Sequence, residues 1–267
     1  MTEITAQLVK ELRDATGAGM MDCKRAPQET DGDLEAARRL LRERGMAQAA
    51  KRAGRETTEG LVLVRVDDGR GSIVAVGCET EPVSKNDEFV AFAGRALDVV
   101  ERSGSEATAE LEPERVELSA RLGENIVVRG RRLESGAGEQ FGSYVHPPAN
   151  KIGVLVKVKG DAAELARMLA MHVSFGAPAW GRREEVPEDV VASERQVYLN
   201  SDELQGKPEA AREKIVDGML RKRFFAAQPG GVLLDQPWIH DTAKTVGQVL
   251  SEAGVELADF ERYSVSG

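Results

Sequence analysis

The first 54 residues carry hydrophobic side chains at the spacing that is typical of helices. Leu8, Val9 and Leu12 recur on one helical face, and Thr5 before them is a suitable N-cap. Gly17 should end this first helix, because the residue after a helix C-terminus commonly adopts positive φ. The pattern further predicts a second helix over 19–30, a third over 33–45 and a helical tether over 46–53.

Pro27 lies inside the predicted second helix. A proline at an interior position removes one backbone hydrogen bond and clashes with the preceding turn, at a cost of about 3 kcal/mol. We therefore expect this helix to be kinked at Pro27 or to end early.

From Leu61 onward the hydrophobic residues follow the two-residue period of β-strands. Residues 61–66 and 72–76 flank an Asp-Asp-Gly-Arg-Gly segment, which predicts a hairpin, and a helix is predicted over 87–101. Further strands are predicted over 125–133, 141–146 and 152–159, before a helix over 162–174. The last predicted elements are a strand near 238–239, a helix over 245–253 and a strand over 260–265. Two successive strands-then-helix units predict an α+β fold with a two-lobed core of antiparallel sheets and flanking helices.

Residues 188–226 are predicted to form a projecting helical hairpin. Two helical segments flank Gln205-Gly206-Lys207-Pro208, and this glycine and proline are typical of a tight connection between antiparallel helices. Val190, Val197 and Leu204 form a thin apolar stripe on the first helix. Either a partner or a second copy of the chain covers this stripe, giving a homodimer in the latter case, or the hairpin lies flat on the core.

These elements divide the chain into five consecutive segments. They are an N-terminal helical module with its tether (1–54), a first core lobe (55–123), the first part of a second lobe (124–187), the helical hairpin (188–226) and the C-terminal part of the second lobe (227–267).

The composition is that of an ordinary globular protein, with 41% hydrophobic and 30% charged residues. The net charge of -9 gives no general electrostatic reason to bind nucleic acid. A basic segment from Arg38 to Arg55 keeps RNA binding open, although interleaved glutamates favour a solvated helix face. Cys23 and Cys78 form no metal-binding or disulfide pattern, and no apolar run is long enough for a membrane helix. We therefore expect a cytoplasmic protein with no membrane partner.

No catalytic motif is found along the chain. It contains no GxxxxGK[ST] phosphate loop, no HExxH metal site and no GxSxG nucleophile elbow. His146, His172 and His240 are scattered, and a structural role best explains His172. The sequence favours a protein that acts by binding and not an enzyme, with no catalytic residue, metal ion or cofactor.

Met20 and Met21 form the first candidate binding site, because they open the second helix directly after a glycine break. Methionine is flexible and polarizable, so the pair can fill the core or adapt to the surface of a partner. The spacing of the two residues leaves both roles open.

The segment 78–87 is the second candidate, since it concentrates charges and a proline between a strand and a helix. It is either a helix-capping turn, with Ser84, Asn86 or Asp87 as the cap, or a functional loop.

Several motifs follow one another in the order of a known family. They are Leu8-Val9-Lys10-Glu11-Leu12-Arg13 with Thr16 to Lys24, Ala49 to Gly54, the 80–87 loop, Gly123-Glu124-Asn125-Ile126, Gly142-Ser143-Tyr144, Ile152 to Val156, Met171-His172-Val173 and Lys244 to Gln248. They cover nearly the whole chain, which resembles the elongation factor Ts family, the guanine nucleotide exchange factors of the translational GTPase elongation factor Tu.

The resemblance implies an N-terminal three-helix module of the ubiquitin-associated type, a two-lobed α+β core and an antiparallel coiled-coil hairpin inserted in the second lobe. It also implies binding to elongation factor Tu in its GDP-bound form. GDP would be released because the exchange factor disturbs the magnesium and phosphate contacts, without covalent chemistry and without binding nucleotide itself.

By position, the resemblance assigns partner contacts to Met20, Met21, Lys24, Leu122, Gly123 and His146. It places Thr80, Glu81, Pro82 and Val83 on the loop that displaces magnesium. The family usually has Asp-Phe where this chain has Glu81-Pro82, so the carboxylate is one methylene longer and the aromatic ring is absent. This departure motivates an alternative function, a divergent Tu-binding or chaperone-like paralogue with weak exchange activity.

Overall fold

The structure, a computed structural model, describes residues 4–67 and 69–266. The α-helices are α1 (Ala6–Thr16), α2 (Met20–Glu29), α3 (Leu34–Arg52), α4 (Glu81–Ser84), α5 (Asp87–Ser103), α6 (Glu112–Leu122), α7 (Ala163–Gly176), α8 (Glu188–Leu199), α9 (Glu209–Met219) and α10 (Val246–Glu252). The strands are β1 (Glu59–Asp67), β2 (Arg70–Cys78), β3 (Val127–Glu134), β4 (Glu139–Val145), β5 (Ile152–Lys159), β6 (Pro237–Trp238), β7 (Asp241–Thr245) and β8 (Glu256–Ser264). Short 3-10 helices cover Ser105–Leu111, Arg183–Glu185, Asp202–Leu204 and Leu233–Asp235, and a π-helix covers Leu220–Phe225.

Two three-stranded antiparallel sheets form the core, which confirms the α+β class. The first sheet has the strand order β1-β2-β3 and the second has β4-β5-β8, while β6 and β7 form a separate ribbon. The sequence pattern groups 125–133 with the second lobe, and the structure corrects this grouping. β3 is hydrogen-bonded to β2, with Val127 opposite Gly77 and Glu134 opposite Arg70. The first sheet therefore extends past the predicted division between residues 123 and 124. The prediction missed this because the local sequence pattern does not show which strands pair.

The two sheets face each other, and helices cover their outer faces. In β2, Ile73 and Ala75 belong to the cluster between the sheets, whereas Val74 and Val76 pack with residues of α5. β5 alternates in the same way, with Leu155 between the sheets and its neighbours under α7. Both faces of these central strands are buried, so their hydrophobic runs are nearly continuous.

The N-terminal helices α1, α2 and α3 pack around Leu12, Cys23, Ala26, Ala37 and Leu41. The Thr5 hydroxyl accepts a hydrogen bond from the Leu8 N–H at 3.2 Å, which confirms the predicted N-cap. Asp33 caps α3 by accepting from two first-turn N–H groups at 3.0 Å each. Gly17 ends α1 with φ 64°, as the sequence predicts.

Of the two outcomes predicted for Pro27, an early end of the helix does not occur, because α2 continues through Pro27 to Glu29. Pro27 is buried on the same face as Cys23 and Ala26, so the burial of that face offsets the missing hydrogen bond. α3 also passes through Gly45, which makes the predicted third helix and tether one continuous helix.

The N-terminal helices dock onto α6, a helix that the sequence pattern does not reveal. Its charged residues obscure the helical period, since only Leu118 and Ser119 are fully buried. A Cβ atom at Gly17 would lie 2.4 Å from the Arg121 Cα, and one at Gly45 would lie 3.0 Å from a Cβ of α6. Glycine at these positions therefore permits the close approach of α1 and α3 to α6.

The predicted hairpin forms α8, a 3-10 turn and α9. The two helices run antiparallel, and Arg195 of α8 pairs with Glu213 at 2.9 Å and with Asp217. Leu204 at the turn is buried, whereas Val197 of the predicted stripe is exposed. None of the residues of α8, all of which are described, is fully buried. Of the three stripe residues, Val197 is exposed, Val190 is half-buried and Leu204 is buried.

Candidate functional site

The segment after β2 turns directly into α4 and presents two residues to solvent. Cys78 is buried at the end of the strand, whereas Glu81 and Pro82 at the start of α4 are exposed. The Ser84 hydroxyl donates to the Glu81 carbonyl at 2.8 Å, and the Lys85 ammonium pairs with the Glu81 carboxylate at 2.6 Å. The hydrogen bond from Lys85 lowers the pKa of Glu81, so this carboxylate is charged at neutral pH.

The carboxylate of Glu124 holds the beginning of this turn. Glu124 Oε2 accepts hydrogen bonds from the backbone N–H groups of Glu79 at 2.9 Å and Thr80 at 3.0 Å. Its Oε1 accepts from the Thr80 hydroxyl at 2.5 Å. A carboxylate suits this position because the N–H groups at a helix start have no partner within the helix.

In a second set of hydrogen bonds, the turn after β2 supplies the acceptor and the loop after α6 supplies the donor. Glu79 Oε1 accepts from the Asn125 N–H at 2.7 Å, and Asn125 Nδ2 donates to the Arg55 carbonyl at 2.7 Å. The Arg55 guanidinium returns to the Glu79 carboxylate at 3.3 Å. We call these five residues, Arg55, Glu79, Thr80, Glu124 and Asn125, the Glu79–Glu124 network. It joins the turn after β2, the loop after α6 and the segment that follows α3.

Helix capping explains only part of the 78–87 segment. Asn86 is the N-cap of α5, and its Oδ1 accepts from the Glu88 N–H at 2.9 Å. Capping therefore accounts for Asn86 but not for the exposure of Glu81 and Pro82.

Met20 and Met21 are exposed by 59% and 62% of their surface. They occupy the first turn of α2, whose buried side consists of Cys23, Ala26 and Pro27. The interpretation of the pair as core residues is therefore wrong for this conformation. Lys24 is also exposed, and a contact role for all three residues stays a prediction.

The end of α6 connects the two candidate segments. Gly17 lies against Arg121, and the next residue, Leu122, packs against the same hydrophobic cluster as Val83. Gly123 follows with φ 78° and is exposed. The structure therefore brings together the glycine break before α2, the end of α6 and the turn after β2.

His146 lies apart from this region, just after β4. It is exposed, and its Nδ1 is 3.0 Å from the Tyr144 hydroxyl. Lys151, five residues after His146, adds to the effect of Lys85 in lowering the pKa of Glu81.

Two potentially reactive side chains, Cys78 and His172, are buried and have structural roles. Burial raises the pKa of Cys78 to about 12, and the charge of Glu124 adds to the increase. Burial also lowers the pKa of His172 to about 4. His172 Nδ1 accepts from the Ile239 N–H at 3.3 Å and Nε2 donates to the Gln236 Oε1 at 3.0 Å. The thiol and the imidazole are both neutral at physiological pH.

The basic segment 38–55 is neutralised in part by neighbouring carboxylates. Arg38, Arg42, Arg44 and Arg55 each pair with a carboxylate, whereas Arg39, Lys51 and Arg52 have no carboxylate partner among the residues that the structure describes. Binding to a phosphate backbone needs cations that are free to replace counterions. The pairing therefore reduces the number of cations that this segment could offer to RNA.

Glu79 and Glu124 are not among the site residues that the sequence predicts. Their hydrogen bonds span 44 to 46 positions, which no local pattern reports. The available signal is the Gly123-Glu124-Asn125-Ile126 motif, but a motif does not reveal what its carboxylate holds.

Within residues 4–67 and 69–266, no three His, Cys, Asp or Glu side chains are grouped so as to hold a metal ion. No helix in these ranges is long and apolar enough to cross a membrane. What the site offers is a hydrogen-bonded scaffold that exposes methionine, proline and carboxylate groups on neighbouring turns. Of these groups, methionine is enriched in the surfaces by which proteins bind one another.

Comparison with known proteins identifies the family. A family model described as Elongation factor TS matches residues 79–267. A protein named Elongation factor Ts from Thioalkalivibrio sulfidiphilus (strain HL-EbGR7) is 41% identical over 98% of this chain and 92% of its own length. Proteins of the same name from Enterobacter sp. (strain 638) and Escherichia coli (strain K12 / DH10B) are also 41% identical, over 99% of this chain and 92% of theirs. The chain belongs to the elongation factor Ts family, whose members are nucleotide exchange factors for elongation factor Tu.

Proposed function

We propose that this chain binds GDP-bound elongation factor Tu and releases GDP by disturbing the magnesium and phosphate contacts of its partner. The observation that carries this proposal is the Glu79–Glu124 network, which holds the 80–83 turn beside Leu122 and Gly123. A loop that displaces a metal ion gains from a fixed position, since ordering it during binding would cost affinity.

The proposed contacts fall into two groups. Thr80, Glu81, Pro82 and Val83 form the magnesium-displacing loop. The surrounding contacts with elongation factor Tu are made by Met20, Met21, Lys24, Leu122, Gly123 and His146. Exposure of the methionines and of the Glu81-Pro82 turn supports this assignment, because these groups are available without unfolding any part of the chain.

Exchange of this kind follows from thermodynamic linkage. A protein that prefers the nucleotide-free GTPase must weaken nucleotide binding, and nucleotide must weaken the protein complex by the same factor. The proposal therefore assigns to this chain no covalent step, no cofactor and no direct binding of nucleotide.

The proposal extends to the organisation of the chain. α1 to α3 form a module of the ubiquitin-associated type, and residues 188–226 form a coiled-coil hairpin inserted in the second lobe. Homodimerisation through this hairpin would cover the exposed Val197 of α8. The protein works in the cytoplasm, where elongation factor Tu acts.

The test is release of fluorescent GDP from elongation factor Tu after addition of the purified chain. We expect faster release, and no acceleration at micromolar concentration would overturn the exchange function.

A second candidate function, Tu binding with weak exchange, is favoured by Pro82, which replaces the aromatic ring usual in the family. Co-purification with elongation factor Tu without faster release would select it. The double substitution Glu81→Asp with Pro82→Phe then tests the cause. A higher release rate would identify the loop as limiting, and an unchanged rate would show that another step is.

A further inference from the structure

A surface groove of about 630 Å³ lies in the second lobe, next to His146. Its lining combines apolar side chains with polar groups that can donate hydrogen bonds. The residues that matter for its chemistry are Tyr144, His146, Met171, Phe175, Ile239 and Arg262.

Arg262 lies on β8 in a row of side chains that crosses the second sheet. Tyr144 of β4 and Arg262 of β8 are both opposite Val154 of the central strand. This row is on the face that α7 covers, and Arg262 Nε donates to the Ser174 carbonyl at 3.3 Å. The contact with the last turn of α7 fixes the guanidinium beside the groove.

The outer nitrogens of Arg262 have no partner among the residues that the structure describes. Neither Nη1 nor Nη2 forms a hydrogen bond or an ion pair within those ranges, and neither is among the fully buried unpaired atoms. Both Nη atoms are therefore in contact with solvent, and this solvent lies in the groove that Arg262 lines. Arg131, a partly buried arginine of the first sheet, pairs instead with Asp259 and Glu261. Arg262 has no such carboxylate partner among the described residues, and its partial burial lowers the pKa of its guanidinium.

The charge of the groove contrasts with that of the whole chain. The chain has 45 acidic residues and a net charge of -9, yet none of the described residues that line the groove is acidic. At its rim, Phe175 exposes 71% of its surface. A planar guanidinium with free N–H groups beside an exposed ring matches an acidic residue with an apolar neighbour.

We propose that the groove receives an acidic side chain of elongation factor Tu, with its carboxylate on the Arg262 Nη groups and an adjacent apolar residue against Phe175. The inference rests on the proposed function, because His146, a proposed partner contact, lines the same groove. The ring excludes water from the ion pair, which strengthens it relative to an exposed pair.

A purely structural role of Arg262 makes a different prediction. In that role only the bond from Nε to the Ser174 carbonyl would matter, and lysine could replace it with a single charged donor. Lysine cannot form the two parallel hydrogen bonds that a guanidinium makes with a carboxylate. Arg262→Lys therefore separates support of α7 from recognition of a partner.

The experiment compares the affinity of the full chain and its variants for elongation factor Tu by calorimetric titration, with thermal unfolding of each free variant. We expect Arg262→Lys to bind about tenfold more weakly at an unchanged melting temperature, since the two parallel hydrogen bonds to the carboxylate are lost. Phe175→Ala should bind about fivefold more weakly, because the apolar wall is removed. Met46→Ala, which removes an exposed side chain on the N-terminal module, is the matched control and should bind as the wild type does.

Unchanged affinity in both groove variants, with a wild-type chain that binds and exchanges, would overturn this inference and leave the proposed function intact. A wild-type chain that does not bind elongation factor Tu would overturn both. If Arg262→Lys unfolds, Phe175→Ala decides, since its side chain is exposed. Stabilisation by inorganic phosphate that depends on Arg262, without any change in Tu affinity, would show a free-anion site and also overturn the inference.

Discussion

Glu124 accepts hydrogen bonds from both the backbone N–H and the side-chain hydroxyl of Thr80, at 3.0 and 2.5 Å. One carboxylate thereby positions the first residue of the proposed magnesium-displacing loop. The exposed residues of that loop are what a partner would meet, but their position depends on a side chain 44 residues later in the sequence. The site is therefore a property of two loops that are held together, and not of one motif.

Replacing Glu124 should release the loop. In Glu124→Gln, the amide keeps one oxygen but loses the charge and cannot accept at both ends, so we expect a free energy of unfolding lower by about 1–2 kcal/mol. GDP release from elongation factor Tu should slow by about tenfold, because ordering the loop would then cost binding free energy. Stopped-flow release and urea unfolding measure the two effects. Glu106→Gln, at an exposed position of the 105–111 segment, is the control, and an equal release rate in both variants would contradict the role of Glu124.

The methionine pair should contribute to binding and not to stability. Substituting both Met20→Ala and Met21→Ala removes two exposed side chains, so the melting temperature should stay the same. The free energy of binding to elongation factor Tu should become less favourable by about 1–3 kcal/mol if both side chains are buried at the interface. We expect this loss to exceed that of Pro82→Ala, because proline offers less surface. Calorimetric titration checks the order of the effects. Val66→Ala, another exposed apolar position, should leave affinity unchanged.

The buried His172 should make stability depend on pH. Its pKa is about 4 in the folded protein, below the ordinary histidine value of 6.5 that applies to the unfolded chain, because burial disfavours the imidazolium. Between these values the unfolded chain binds more protons, so the free energy of unfolding rises with pH. This contribution to the free energy of unfolding is complete above about pH 6.5. It decreases by at most about 3 kcal/mol as the pH falls towards 4. Urea unfolding across this range should show the slope in the wild type and in His146→Gln, an exposed-histidine control. His172→Gln should flatten it, and an unaltered slope would assign the pH dependence to other groups.

Gly142 should be intolerant of a methyl group. A Cβ atom there would lie 2.2 Å from the carbonyl carbon of Ala166, so α7 would have to move away from β4. We expect Gly142→Ala to lower the free energy of unfolding by about 1–3 kcal/mol or more, as overpacking does. Gly94→Ala is the matched control, since no atom lies within 4 Å of its added Cβ and alanine favours a helix by about 1 kcal/mol. Thermal unfolding compares the two variants. A wild-type melting temperature for Gly142→Ala would contradict the close contact between strand and helix.

Features that depend only on residues close together in the sequence could be predicted. The caps at Thr5 and Asp33 and the left-handed Gly17 follow from side-chain chemistry and backbone sterics within one turn. The strands of the first hairpin follow from their two-residue period. In contrast, α6 escapes prediction because its charged residues leave few hydrophobic positions to define a period. Whether α2 ends at Pro27 or continues also stayed open, because it depends on burial that offsets a local cost.

The sequence by itself determined the α+β class, most of the helices and strands and the family, since each rests on local periods or on motifs in order. Only the tertiary structure decided that β3 joins the first sheet, that α6 receives the N-terminal helices and that Glu79 and Glu124 hold the loop. These features depend on contacts between residues far apart in the chain. Such contacts form when packing brings strands and loops together, and local patterns along the chain do not report distances between residues far apart in sequence.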